Sequence, residues 1–242
     1  AEADDILIEK YLRFLPSDTL PAEVKDISGI IRELKADIRL EEDVLSYEGQ
    51  LKIENGQAVI FDKDVKNING LLMSDGNSIK LFIKASCMNQ TAAAHGDIIF
   101  TEDGPMLNLM VEAQSFDPGQ IIEDIPYRGP LAFSAHLTGK ADNPSVDARL
   151  SVKEGEISGY SMKNASAHVF YSDSQLTADE ISAELLGGIV SGQAEFNAKS
   201  YDFSAKLKLS GVGLSVLENM VPGIAGSVSA DIVASGNAND MD

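Results

Sequence analysis

The sequence predicts a mostly-β protein: an elongated antiparallel sheet built from repeats, with only a few short helices. Three observations carry that expectation. Apolar and polar residues alternate over one run after another, the period of a strand with one apolar face. The 20 glycines mostly punctuate these runs, as turns between short strands do. The sequence also repeats itself at a spacing near 97 residues.

Residues 1–45 read as a lead-in with a short helix and a partial repeat. Asp4 and Asp5 open a helix through Ile6, Lys10, Tyr11 and Phe14 that Pro16 stops, and a weak repeat copy starts at Leu15-Pro16. Residues 46–145 form a first β repeat unit and residues 146–242 a second, continuous with it in one sheet. Alternation dominates from about Leu51 onward. Its clearest runs are Leu107, Leu109, Val111, Ala113; Leu131, Phe133, Ala135, Leu137; Val146, Ala148, Leu150, Val152; Ala165, Ala167, Val169, Tyr171; and Phe203, Ala205, Leu207, Leu209. Two further short helices are expected at Pro118 to Ile125 and Ser215 to Met220, each followed by a proline.

The repeat rests on four collinear matches. Leu51 to Gly56 meets Leu150 to Gly155, Lys66-Asn67 meets Lys163-Asn164, and Gly96 to Phe100 meets Gly192 to Phe196. The longest match sets Gly129, Leu131, Phe133, Ala135, Leu137, Gly139 and Ala141 against Gly226, Val228, Ala230, Ile232, Ala234, Gly236 and Ala238. Gly236 to Asp242 matches the stretch after Gly139, which leads into the run at Val146. The sequence therefore reads as an internal piece of a longer repetitive protein without its capping units, the alternative being a disordered natural C-terminus.

Composition narrows the function classes. With 38 Asp and Glu against 19 Lys and Arg, the formal net charge is -19, which disfavours phosphate backbones and anionic membrane surfaces, so no nucleic acid is expected. The single cysteine, Cys87, rules out an intrachain disulfide and reads as a small buried residue without basic neighbours. No apolar run approaches the roughly 18 residues of a membrane span, and Ala1 to Asp5 lacks signal-peptide character; the reading is a soluble piece whose targeting segment lies elsewhere.

Catalytic chemistry is not expected, nor any cofactor or metal. No GxSxG elbow or Walker loop is present, and Gly211-Val212-Gly213 reads as a strand end rather than a dinucleotide loop. His95, His136 and His168 are scattered without metal-ligand spacing, and the last two fall on polar-face positions where solvated side chains are expected. Asp62-Lys63-Asp64 and Asp173-Ser174-Gln175 read as turns. The absence of tryptophan argues against a polysaccharide cleft.

One module reads as apolar-Pro, then Gly-x-Leu-x-Phe-x-Ala-x-Leu-x-Gly-x-Ala-x-Asn-Pro, then an alternating strand closing on a glycine turn. Its residues are Ile125-Pro126, Gly129 to Leu137, Gly139, Ala141, Asn143-Pro144 and Leu150 to Gly155. This resembles the AsmA-like superfamily of diderm bacterial envelope proteins, and within it the TamB (translocation and assembly module) family. The second copy departs in having Asn239-Asp240 in place of Asn143-Pro144.

The resemblance implies a curved sheet folded into a taco-like groove with an apolar concave face, in a protein anchored in the inner membrane and crossing the periplasm. It implies transfer of phospholipids toward the outer membrane, with an Omp85-type outer-membrane protein as partner. The residues expected to line such a groove are Leu107, Leu109, Val111, Leu131, Phe133, Leu137, Val169, Phe196, Leu207, Leu209, Val228 and Ile232. The competing expectation is a structural or adhesive β-solenoid with a dry core and no ligand. A carbohydrate-active β-helix would need carboxylates gathered along one outer groove, and the sequence does not place them so.

Overall fold

All five clear alternating runs fold as strands. The computed structural model describes residues 2–3, 5–8, 24–41, 44–60, 62–121, 125–214 and 222–240. The chain divides into two compact units, Ala1–Ala113 with Thr138–Asp142, and Gln114–Leu137 with Asn143–Asp242.

In the first unit lie β1 (Glu2–Ala3), β2 (Ile6–Leu7), β3 (Val24–Glu41), β4 (Val44–Ile60), β5 (Lys63–Ser74), β6 (Ser78–Cys87), β7 (Gln90–Thr101) and most of β8 (Gly104–Phe116). They pair antiparallel in the order β1-β3-β4-β5-β6-β7-β8, with β2 also against β3. The second unit carries β9 (Tyr127–Arg128), most of β10 (Leu131–Lys140), β11 (Asn143–Ile157), β12 (Tyr160–Ser172), β13 (Gln175–Leu185), β14 (Gly188–Asn197), β15 (Asp202–Gly213) and β16 (Ser227–Asn237). From β10 to β16 each strand neighbours the next, and β9 pairs with β11. Neither path closes into a barrel. The predicted class, a mostly-β antiparallel sheet with a few short helices, is the one observed, with almost no helix among the described residues.

Local chemistry explains the meander. Four hairpins turn on two residues that both have positive φ, the geometry of type I′ turns that matches the strand twist. They are Met88-Asn89 (φ 49 and 64), Ser158-Gly159 (51 and 82), Asp173-Ser174 (50 and 69) and Leu186-Gly187 (53 and 77). A side chain shapes the turn between β5 and β6: Asp75 Oδ1 accepts from the backbone N–H of Asn77 at 3.0 Å and of Ser78 at 2.7 Å. Those donors hold the Asp75 carboxyl below its ordinary pKa.

The lead-in departs from expectation. Ile6–Leu7 is strand and Ile8 is helical; residues 9–23, which include the rest of the expected helix and the weak copy at Leu15-Pro16, lie outside the described residues. Residues 24–41 of the lead-in, expected to hold a short helix and a partial repeat, form one long strand. Of the helix expected from Pro118, a 3-10 turn at Pro118–Gln120 forms, capped by the Asp117 side chain; residues 122–124 are not described, nor is the candidate from Ser215 to Met220. Among the described residues no helix is long and apolar enough to cross a membrane.

The matched segments adopt matching geometry. Asn67 and Asn164 both take positive φ (52 and 46), as do Gly96 and Gly192 (138 and 155). A Cβ built on Gly29 would come within 2.7 Å of the Gly56 Cα, and one on Gly129 within 3.0 Å of the Gly155 Cα. The same glycine-on-glycine crossing thus occurs once in each unit, and it marks β3 as a repeat element that alternation alone does not reveal.

Burial is shallow throughout. Among the described residues the buried hydrophobics are Ala58, Leu81, Ala113, Ala135, Ala148, Val152 and Val212, and no side chain is fully enclosed. All but Leu81 are small, so among the described residues neither unit shows the large-residue core usual for a chain this long. Cys87, expected to be buried, is only partly so, because it stands at a strand end opposite Val65 and Gln90.

Candidate functional site

Residues paired across antiparallel strands point to the same side, so the register sorts each sheet into two faces. In the second unit one face is apolar. Tyr171, Leu176, Phe196 and Phe203 stand side by side from β12 to β15. The next row is Ala148, Val169, Ala178, Ala194, Ala205 and Ala234. A bulge with Glu180 at φ 51 then resets β13, and rows Ile181, Gly192, Leu207, Ile232 and Ala183, Val190, Leu209, Ala230 continue on the same side.

Six of the expected lining residues belong to these strand rows. Val169, Phe196, Leu207, Leu209 and Ile232 share the apolar face, and Val228 is opposite Val212 beyond a second bulge. Leu131, Phe133 and Leu137 alternate along β10 with the buried Ala135 between them. The Phe133 ring meets Phe116 edge-on with centroids 5.6 Å apart.

The first unit has an equivalent face. Leu34, Leu51, Leu72, Leu81, Gly96 and Leu109 form one row across β3 to β8. Beside it lies Ile31, Ile53, Gly70, Ile83, Ala94 and Val111, while Leu107 is opposite Ile98, which is opposite Ile79. At one end of this face Leu34, Ala36, Leu51, Leu72 and Ile79 line a cavity of about 380 Å³. Its wall is almost wholly apolar. That volume lies within the range of small-ligand pockets, about 300–1,000 Å³.

Of this cavity's lining the sequence singles out only Leu51, and that as a repeat anchor rather than a site residue. Ile79, Leu81 and Ile83 alternate cleanly and offered a signal. Leu71-Leu72 hid it, because the two leucines point to opposite faces.

The opposite faces are held by charge. On β4, Glu54 accepts from Arg32 Nε at 2.8 Å and pairs with Lys52 at 3.0 Å; Lys52, then Arg32, keep its carboxyl below the ordinary range. In the second unit His168 bridges three strands, with Nε2 2.8 Å from Asp147 and Nδ1 2.8 Å from Asp179. The expectation of a solvated His168 therefore fails: its side chain is 23% exposed and held at both nitrogens. With both nitrogens so engaged it has no lone pair for a metal, and among the described residues no group of three or more His, Cys, Asp or Glu is placed to hold one.

Asp147, then Asp179, raise the His168 pKa above its ordinary 6.5. A raised folded-state value contributes stability that is fully present below the unfolded pKa and lost as pH rises through the folded one. The urea midpoint is therefore expected to fall as pH rises above about 6.5, and His168→Asn should remove most of that fall. An unchanged pH dependence in the variant would show that the bridge contributes nothing.

No protein-family model, characterised protein or solved structure matches this chain.

Proposed function

We propose that this chain is a lipid-transfer segment, carrying phospholipid acyl chains along the apolar face of its sheet. The observation that supports the reading is a continuous apolar face in each unit with no second sheet or helix packed over it among that unit's described residues. An apolar sheet face in water is covered or occupied.

The energetics favour a lipid occupant. Exposing about 15 methylenes of an acyl chain to water costs about 12 kcal/mol at ~0.8 kcal/mol each, and an apolar strip removes most of that cost. Sliding needs rows of similar side chains rather than one deep pocket, and transfer of this kind needs no catalytic residue. By its resemblance to the AsmA-like superfamily, the segment works in the periplasm of a diderm envelope, between an inner-membrane anchor and an Omp85-type partner.

The test places a photo-crosslinking amino acid at Leu109 or Leu209, on the apolar faces, and at Asn108 or Lys208, the adjacent opposite-face positions. Covalent phospholipid, read by mass spectrometry from protein recovered from cells, is expected at the two leucines only. Lipid at none of the four positions in folded protein, or equally at all four, would reject the reading in favour of a dry structural sheet.

A further inference from the structure

The first unit carries two Asn-Gly pairs, Asn55-Gly56 on β4 and Asn69-Gly70 on β5. In such a pair the glycine nitrogen can reach the asparagine side chain, because glycine has no Cβ to hinder the approach. Ring closure needs a side chain free to turn and a main chain free to distort. The structure gives the two asparagines unequal freedom.

Asn69 is held. Its Oδ1 accepts from the Asn55 backbone N–H at 3.1 Å, and its Nδ2 donates to the Asn67 carbonyl at 2.7 Å. Gly70 sits in the ladder on both sides, opposite Ile53 and Ile83. Asn55 is exposed, and its side-chain amide has no hydrogen-bond partner among the described residues. Its φ of 54 is left-handed, and the register shifts beside it against both neighbours, between Ser28 and Ile30 on β3 and between Ile53 and Gly56 against β5. Asn55 is thus the unpaired residue of a bulge, where the ladder does not hold the main chain.

We propose that Asn55 is a site of spontaneous deamidation, with water as the co-reactant. The Gly56 nitrogen attacks the Asn55 Cγ and gives up its proton, and the side-chain nitrogen leaves as ammonia. Water then opens the five-membered imide at either carbonyl, yielding aspartate or isoaspartate. Isoaspartate routes the main chain through one extra carbon. That carbon enters where Gly29 crosses Gly56, so closely that a Cβ on Gly29 would come within 2.7 Å of the Gly56 Cα. The pairing of β3 with β4 therefore loosens there. The matched pair in the second unit is Glu154-Gly155, which has no side-chain amide to lose.

The whole chain is incubated at mildly alkaline pH, folded or in guanidinium chloride, until the unfolded sample has converted half of its Asn55. Trypsin puts the two sites in separate peptides, 53–63 and 67–80, and fragment masses locate each Asn-to-Asp change. In the unfolded chain the two sites should convert at similar rates. In the folded chain Asn55 is expected to convert at least about tenfold faster than Asn69, and exchange of the amides at 28–31 should quicken in the converted protein. The proposal is overturned if Asn55 stays intact in the folded chain, or if its rate relative to Asn69 is no greater folded than unfolded. Unchanged exchange at 28–31 would overturn the loosening of the crossing.

Discussion

Replacing Gly192 by valine is expected to cost about 3–5 kcal/mol, a large part of the 5–15 kcal/mol typical of a folded domain. A Cβ at this position would fall on the Lys206 carbonyl oxygen and lie 2.9 Å from the Leu207 Cα. Both are backbone atoms in a ladder that runs without a register shift from Ile189↔Ser210 to Phe196↔Phe203. No rotamer change relieves the clash; β14 must pull away from β15 and lose hydrogen bonds on both sides of the contact. The φ of 155 adds strain for any L side chain. Gly187 is the control, a turn glycine with φ 77 whose added Cβ would meet nothing within 4 Å. Gly187→Ala should cost only about 1 kcal/mol, from strain alone. Urea denaturation followed by circular dichroism separates the two, and equal midpoints would contradict the argument. Gly96 has the same relation to the Asn108 carbonyl oxygen and the Leu109 Cα, so Gly96→Val should act alike in the first unit.

That correspondence shows what a sequence of this kind discloses. Alternation located β8, β10, β11, β12 and β15, because each has an uninterrupted stretch with small or apolar residues on one face. The repeat was legible because its glycines and asparagines hold backbone positions that other residues occupy only under strain. The first long strand was not legible. In Ile30-Ile31-Arg32-Glu33-Leu34 the period breaks, and the structure shows why: a register shift between Ile31 and Glu33 puts both Ile31 and Leu34 on the apolar face. The bulge at Glu180 has the same effect on β13.

Two further features depend on neighbours distant in sequence. Lys52, Leu71, Phe82, His95 and Met110 form a row on the opposite face of the first unit, where Phe82 and His95 stack with centroids 6.3 Å apart. Simple alternation would assign such large apolar residues to the apolar side. His168 likewise gains its two carboxylates only from the pairing of β12 with β11 and β13.

Leu207→Glu is expected to leave the sheet folded while reducing phospholipid recovered at a crosslinker placed at Leu209 by at least about tenfold. Leu207 stands between Gly192 and Ile232 on the apolar face, and it is only partly buried. A carboxylate there keeps contact with water, so the loss of stability should stay within about 1–2 kcal/mol, below that of a fully buried leucine. An acyl chain lying along the same row would have to strip that water away, and an unpaired carboxylate in hydrocarbon costs several kcal/mol. Lys208→Glu makes a larger change in charge one residue away on the opposite face, and lipid recovery should be unaffected. Leu207 is a cleaner position than Phe133, where glutamate would also remove the ring contact with Phe116 and confound folding with occupancy. The dry-core alternative predicts the reverse for Leu207→Glu: a charge sealed among apolar side chains unfolds the second unit, and no lipid is found in either protein. Urea midpoints measured on the same samples used for lipid recovery therefore decide between a face that carries a ligand and one that serves only to hold strands together.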